Sequence, residues 1–337
     1  MRRRGARQMT EGYRHRNVLV LGGLGFIGSN LARRLVSLGA DVLLVDSLIP
    51  EYGGNMCNIQ GIEKDVRVNI ADVRDAHSMR QLVRGREVLF NLAGQTSHLD
   101  SMTDPYTDLD INCRAQLSIL EACRHNNPHI QIVYASTRQV YGRPEYLPVD
   151  ERHLLRPTDI NGINKMAGEW YHILYHHVYG VRACALRLTN TYGPRMRVRD
   201  ARQTFLGVWI RNILCGQELE IYRDGLQLRD FNYVEDVIDA LLLAGSSDKA
   251  CGGVFNLGAS PPVSLKDLAE LLIRLNGSGS CRMVPFPPER QVIDIGDYYA
   301  DFSRVTAALG WRPKVGLDEG LTTTLEFYRE FGKYYWG

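Results

Sequence analysis

Asn17-Val-Leu-Val-Leu-Gly-Gly-Leu-Gly-Phe-Ile-Gly28 is a short apolar run, long enough for a buried strand, that feeds directly into glycines at 22, 25 and 28. Behind them Ile27, Leu31, Leu35 and Leu38 recur at the intervals of an amphipathic helix. Strand, glycine turn and helix in that order build a dinucleotide site. Gly22 allows the tight turn, Gly25 lets the backbone approach a pyrophosphate, and Gly28 lets the helix pack on the strand. The free amides at the helix start then face the phosphates.

A second apolar run, Asp41-Val-Leu-Leu-Val-Asp46, ends in an acid 18 residues after Gly28, near the ~20 expected of a ribose-binding carboxylate. An acid at that strand end bonds the adenosine ribose hydroxyls and repels a 2′-phosphate, so the pattern favours NAD over NADP.

At 337 residues the chain is large for one core, so one large α/β domain with a smaller partner is expected. A net charge of +2 and 45% hydrophobic residues describe a soluble globular protein without a polyanion-binding surface, so no nucleic-acid partner is expected. No apolar run approaches the ~20 residues that span a bilayer. Residues 1–16 carry six arginines with no apolar stretch before the first strand, which reads as a mobile basic tail rather than a secretion signal. The seven cysteines are scattered without a Cys-x-x-Cys pair, a usage that suits a reducing cytoplasm. Cys113, Cys123, Cys184 and Cys215 fall in apolar-periodic segments and read as small core residues.

The strand–helix rhythm continues with strands at 87–92, 130–135 and 181–186 and helices at about 107–124 and 161–180. This alternation implies an α/β fold with a Rossmann-like, doubly wound parallel sheet, whose ligand sites lie at the carboxyl ends of the strands. After about residue 190 the pattern loosens into short strands (219–222, 254–257) and helices (234–245, 264–275, 317–331). The expected organisation is a cofactor-binding domain over 17–190 and a smaller C-terminal α/β substrate lobe over 191–337, interleaved with the first.

Three positions stand where chemistry is expected: Thr137 after one strand, Lys165 early in the next helix and Asn190 after the following strand. A hydroxyl near the cofactor can hydrogen-bond a substrate alcohol, and a lysine can hold the nicotinamide ribose and supply positive potential. With these residues the sequence, over 17–331, resembles the extended short-chain dehydrogenase/reductases that act on nucleotide sugars. Gly22, Gly25, Phe26, Ile27 and Gly28 look like the family's cofactor turn, and Asp46 with Ser47 its ribose-side strand end. Asp72-Val73 resembles its adenine-binding pair, and Asn91-Leu92-Ala93-Gly94 its nicotinamide-side strand. Asn112 is similar to an asparagine of the central helix, and Ser136-Thr-Arg-Gln-Val-Tyr-Gly142 to the segment whose hydroxyl, here Thr137, is catalytic. The segments 189–194 and 228–236 resemble nucleotide-sugar contacts, with Asn190 and Arg229 toward the diphosphate; Gln95, Arg290 and Tyr298 fall among the family's substrate contacts. The resemblance implies bound NAD, a nucleotide-diphosphate sugar as substrate and a homodimer.

Two departures qualify the resemblance. The family's base is a tyrosine four residues before the lysine; here that position is Asn161, in Asn161-Gly-Ile-Asn164-Lys165, with Asn164 in place of the usual serine. A tyrosine beside a lysine can take a proton near neutral pH, whereas an amide cannot. Arg138-Gln139 replaces the acid pair with which the family's 4,6-dehydratases eliminate water. Gln95 and the Ser136-Thr-Arg-Gln segment bring the chain closer to the UDP-glucose 4-epimerase and CDP-tyvelose 2-epimerase types. An epimerase is therefore expected, with Thr137 on the reacting hydroxyl, Lys165 on the nicotinamide ribose and Asn161 orienting substrate or a water. The alternatives are a catalytically silent NAD or nucleotide-sugar binder and a non-standard dehydratase. His98, Asp100, Tyr141 and Lys165 are candidate replacement bases. Glu169, His172 and His176 lie at helical spacing but read as interface or surface residues, so no metal is expected. The basic run 195–202 reads as lying near the anionic substrate or as a solvated loop.

Overall fold

The computed structural model describes residues 12–202 and 204–336. Its strands are β1 (Asn17–Leu21), β2 (Asp41–Asp46), β3 (Val66–Ile70), β4 (Val88–Asn91), β5 (Gln131–Thr137), β6 (Arg182–Leu188), β7 (Asn190–Tyr192), β8 (Leu219–Tyr222), β9 (Leu228–Arg229), β10 (Phe231–Tyr233), β11 (Val254–Asn256), β12 (Val263–Ser264) and β13 (Cys281–Val284). Seven of them form one parallel sheet in the order β11-β6-β5-β4-β1-β2-β3. The order reverses between β1 and β4, which pair from Val18 opposite Val88 to Leu21 opposite Asn91. At such a switch point the loops leave in opposite directions and open a crevice at the carboxyl ends.

The helices are α1 (Phe26–Ser37), α2 (Ala76–Leu82), α3 (His98–Thr103), α4 (Pro105–Leu109), α5 (Ala115–Asn126), α6 (Ile160–Tyr179), α7 (Phe205–Leu214), α8 (Val234–Gly245), α9 (Leu265–Asn276), α10 (Pro288–Gln291), α11 (Ser303–Leu309) and α12 (Leu317–Phe331). Of these, α1 and α8 on one face and α2 and α5 on the other cover the main sheet. Successive β1 side chains enter opposite layers, as a pleated strand requires. Val18 and Val20 pack with Leu31 and Leu35 of α1 and Val237 and Leu241 of α8. Leu19 and Leu21 pack with Met79 of α2 and Ile119 and Leu120 of α5. All these side chains are fully buried, and each stabilises by about 1.5–3 kcal/mol relative to exposure.

Four features depart from the sequence expectations. The helix expected at 107–124 is two pieces, α4 and α5, joined by a π-helical turn at Asp110–Arg114. The edge strand β3 and helix α2 were not anticipated, because Val66-Arg-Val-Asn-Ile70 buries little and lacks a continuous apolar run. Of the basic tail, residues 1–11 lie outside the described residues, whereas the expectation fails for 12–16: Tyr13 is fully buried and its hydroxyl donates to Leu242 O at 2.8 Å. Cys123 and Cys184 are buried as expected, but Cys113 is only half-buried, and Cys215 is exposed because it follows α7 at its C-terminal cap.

The second half is built on three two-stranded pairs, β7 with β10, β9 with β12 and β8 with β13. It also contributes β11 to the main sheet and α8 to its cover. Among the described residues no helix is long and apolar enough to cross a membrane.

Candidate active site

A cleft of about 770 Å³ runs from the β1–α1 turn to the C-terminal lobe. At its inner end Gly22 has φ +75°, and a Cβ there would lie 2.9 Å from Ala93 N. A Cβ on Gly28 would stand 2.1 Å from Gly22 O, so glycine alone permits the α1 turn to close on itself. No side chain caps α1, so its first-turn amides have neither intrahelical nor side-chain acceptors. The half-buried Asp46 carboxylate accepts from Leu24 N (3.0 Å) and Leu48 N (2.9 Å) and borders the cleft. Burial raises its pKa, with those amides opposing. Asp72 is held below its usual pKa chiefly by the side-chain hydrogen bonds of Arg74. These residues fit a dinucleotide: bare amides at a helix start, a carboxylate at the neighbouring strand end, and a glycine at 94 where a Cβ would press on Asn112 Oδ1 (2.9 Å) and Lys165 Nζ (3.2 Å).

The cleft is lined by Gly22, Gly25, Phe26, Ile27, Gly28, Asp46, Ser47, Asp72, Val73, Leu92, Ala93 and Gly94, the whole cofactor set expected from sequence except Asn112. Gln95, Thr137, Asn161, Lys165, Asn190, Arg229 and Arg290 line it as well. Asn112 and Tyr298 do not. Asn112 is fully buried behind the wall, where Nδ2 donates to Gln95 O (2.9 Å) and Asp108 (3.1 Å). Tyr298 packs behind Arg138, whose guanidinium lies 5.7 Å from the ring centre. A periodicity argument sees where a residue lies along a chain, not which of two neighbours reaches the cavity.

Asp108 was missed altogether. Its buried carboxylate accepts from Asn112, from Asn161 Nδ2 (2.9 Å) and from Asn164 Nδ2 (2.8 Å). The π turn after α4 helps carry Asp108 and Asn112 onto the same face against α6, a setting in which π turns recur. Asn161 also donates to Gln95 O at 2.8 Å. Its Nδ2 is therefore spent on the wall, while Oδ1 has no partner among the described residues and can accept a substrate hydroxyl.

Lys165 Nζ donates to Ala135 O at 2.9 Å, and burial lowers its pKa to about 8, with Asp108 opposing. Thr137 Oγ1 accepts from Gln139 N at 3.2 Å, leaving its proton for another acceptor. Gln139 donates to Asp159 at 2.8 Å. Asp159 caps α6 by accepting from Gly162 N at 2.6 Å. His98, the first residue of α3, lines the cleft with Nδ1 2.9 Å from Asp159 Oδ2. Nδ1 lies within ion-pairing distance of the carboxylate but off the line of an aligned hydrogen bond. Burial would raise the Asp159 pKa, but His98, Gly162 N and Gln139 together hold it below the usual value. The signal for Asp159 was available: an acid immediately before an apolar-periodic run is a helix N-cap.

The other candidate bases are occupied. Tyr141 is fully buried, donates to Asn256 Oδ1 (2.6 Å), and burial pushes its pKa up to about 12. Asp100 is paired with Arg202 at 2.7 Å. Glu169 and His172, expected at an interface or the surface, are instead buried in the core: Glu169 is paired with Arg187 and accepts from Ser136 (2.6 Å), and His172 stacks on Tyr134 at 4.4 Å. Among the described residues no three His, Cys, Asp or Glu side chains gather as a metal set. In the basic run, Arg197 and Arg202 both pair with Asp200, and Arg202 reaches the cleft wall. At the outer end Tyr222 and Phe286, with ring centres 5.0 Å apart, add flat walls that sequence reading did not find.

Residues 18–258 match the model of the NAD dependent epimerase/dehydratase family. The chain belongs to that family. It is 33% identical to a putative UDP-glucose 4-epimerase of Methanocaldococcus jannaschii over 93% of this chain and 98% of the relative. It is 28% identical to a dTDP-glucose 4,6-dehydratase of an Actinoplanes species over 93% of this chain and 97% of the other. The structure of a UDP-glucose 4-epimerase from Thermotoga maritima with UDP-glucose superposes with a TM-score of 0.84 at 29% identity, covering 93% of this chain and 99% of that one. This NAD-dependent family uses the dinucleotide that the α1 turn fits.

Proposed function

We propose that this enzyme is an NAD-dependent epimerase of nucleotide-diphosphate sugars in which His98, backed by Asp159, does the work of the absent tyrosine. The observation that carries the reading is the His98–Asp159 pair at the cleft wall, beside an Asn161 whose amide nitrogen is spent on Gln95 and Asp108. Asp159 stabilises the imidazolium that forms when Nε2 takes a hydroxyl proton, and the same imidazolium returns it. Nε2 has no protein partner among the described residues.

Thr137 donates to the reacting oxygen, and Lys165, anchored on Ala135 O, offers its remaining protons and charge to the nicotinamide ribose. NAD supplies the hydride acceptor and then the donor. Asn190, Arg229 and Arg290 border the part of the cleft where a diphosphate would lie, and Tyr222 and Phe286 offer faces for a base. Elimination of water is disfavoured because Gln139 spends its amide on Asp159 and Arg138 is a cation.

The test is turnover on a nucleotide-sugar panel, with bound NAD measured after denaturation. His98→Ala should lower kcat by about 10²- to 10⁴-fold while NAD content stays at the wild-type level. Wild-type protein that carries NAD but interconverts no sugar would support a silent binder instead. An unchanged kcat in His98→Ala would remove His98 from the mechanism.

A further inference from the structure

Arg138 follows Thr137 directly at the end of β5 and lines the cleft. Its guanidinium neither donates to nor forms an ion pair with any of the described residues, and its buried Nε has no acceptor. Its one contact of note is the Tyr298 ring, 5.7 Å away. Arg138 is partly buried, and a cavity-facing guanidinium whose Nε is shut away from any acceptor is poised for an anion that arrives from outside.

The carboxylates around it are spoken for. Asp230 is fully buried; it accepts from the Thr189 hydroxyl and from Ala300 N at 3.1 Å. Asp294 pairs with Arg229 at 3.6 Å and accepts from Gln227 at 2.9 Å. Asp159 holds His98, Gln139 and Gly162 N. Arg229 itself is anchored on Leu228 O and Gly296 O. Its pKa is lowered to about 10, first by burial and then by the charge of Arg138. Two neighbouring guanidinium groups thus face one cavity, and of the two only Arg229 has partners among the described residues.

Their positions assign different anions to them. Arg138 is adjacent in sequence to the hydroxyl beside the reacting carbon, whereas Arg229 belongs to the C-terminal lobe with Asn190 and Arg290. A sugar ring held by its diphosphate at one end and by Thr137 at the other passes Arg138 along its edge.

We infer that Arg138 receives a carboxylate carried by the sugar, so that the substrate is an acidic nucleotide sugar such as a uronate. The inference rests on the nucleotide-sugar reading above. A planar fork meets a carboxylate through two parallel N–H···O bonds, which a lysine or an amide cannot reproduce. A neutral hexose would leave the guanidinium unpaired in the closed site.

Calorimetry on the NAD-loaded protein with UDP, UDP-glucose and UDP-glucuronate tests this. The wild type should bind UDP-glucuronate at least about tenfold more tightly than UDP-glucose, the scale of a charge-assisted pair. Arg138→Gln should collapse that ratio to near one, and Arg138→Lys should restore part of it. Equal affinities for the two sugars in the wild type would overturn the inference. So would an Arg138→Gln variant that weakens UDP and both sugars by one common factor, which would place Arg138 on the diphosphate. Failure of all three ligands to bind would overturn the nucleotide-sugar reading itself.

Discussion

Asp108 shows how a single side chain explains two departures from the family pattern. Asn161 and Asn164, which replace a tyrosine and a serine, both donate to its carboxylate, and Asn112 supplies a third amide. A fully buried carboxylate tolerates loss of a donor poorly, because the bond lost inside is not replaced by water. Asn161→Ala should therefore destabilise the protein by about 1–3 kcal/mol, measured by urea denaturation, and Asn161→Tyr should also destabilise it rather than simply restore a base. A denaturation midpoint equal to that of the wild type would show that Asp108 does not need this donor. Lys165 gives a prediction in pH. Burial lowers its folded pKa to about 8 from the ordinary 10.5, so the unfolded chain binds the extra proton between those values and stability rises with pH across that window. Below pH 8 the folded protein bears the full penalty of the buried cation. Lys165→Met should thus gain stability relative to the wild type at pH 7, and the gain should shrink as pH rises toward 10. A gap in Tm that is constant with pH would sink this account. NAD affinity of the wild type should fall above pH 8 as the charge is lost.

At the scale of elements, the β1–α1 turn is the most constrained part of the chain. Gly28 has no room for a methyl group: the added carbon would overlap Gly22 O at 2.1 Å. Backbone, not a flexible side chain, is the obstacle, so α1 must move away from the turn. Gly28→Ala should lose most bound NAD, read as the absorbance of nucleotide released on denaturation, with the sheet kept intact by its other strands. Retention of stoichiometric NAD would mean that the turn yields more cheaply than its geometry implies. Element α6 shows the complementary case. Its inward face carries Asn161, Asn164 and Lys165, while Trp170, Leu174 and Val178 lie on the outside and are more than half exposed.

For the whole molecule that outer stripe bears on assembly. Trp170, Leu174 and Val178 recur every four residues, and exposed Leu117 lies on the neighbouring helix α5. Large apolar side chains exposed on two packed helices point to an interaction surface, and the homodimer expected from the resemblance is our proposal for what covers them. Trp170→Glu with Leu174→Glu should yield a monomer by light scattering, where the parent should be a dimer. A monomeric parent would remove the proposal. The second whole-molecule feature is the shared cleft: the carboxyl ends of β1 to β5 bring the cofactor set and Thr137, while Arg229, Arg290, Tyr222 and Phe286 come from the second half.

The glycine turn, the acid of β2 and the alternation of apolar strands with helices were legible because each is local, carried by a handful of consecutive residues with one period. For the same reason the sequence determined the parallel Rossmann-like sheet, the dinucleotide and the absence of the usual tyrosine. Only the tertiary structure decided what replaced that residue's surroundings. His98 and Asp159 are 61 positions apart, and Asp108 meets Asn161 and Asn164 across more than fifty residues. Such contacts depend on how α3, α4 and α6 pack, and side-chain packing has no period to read along the chain. The same holds for Arg138: its charge stands in the sequence, but its lack of an acceptor is a property of everything folded around it.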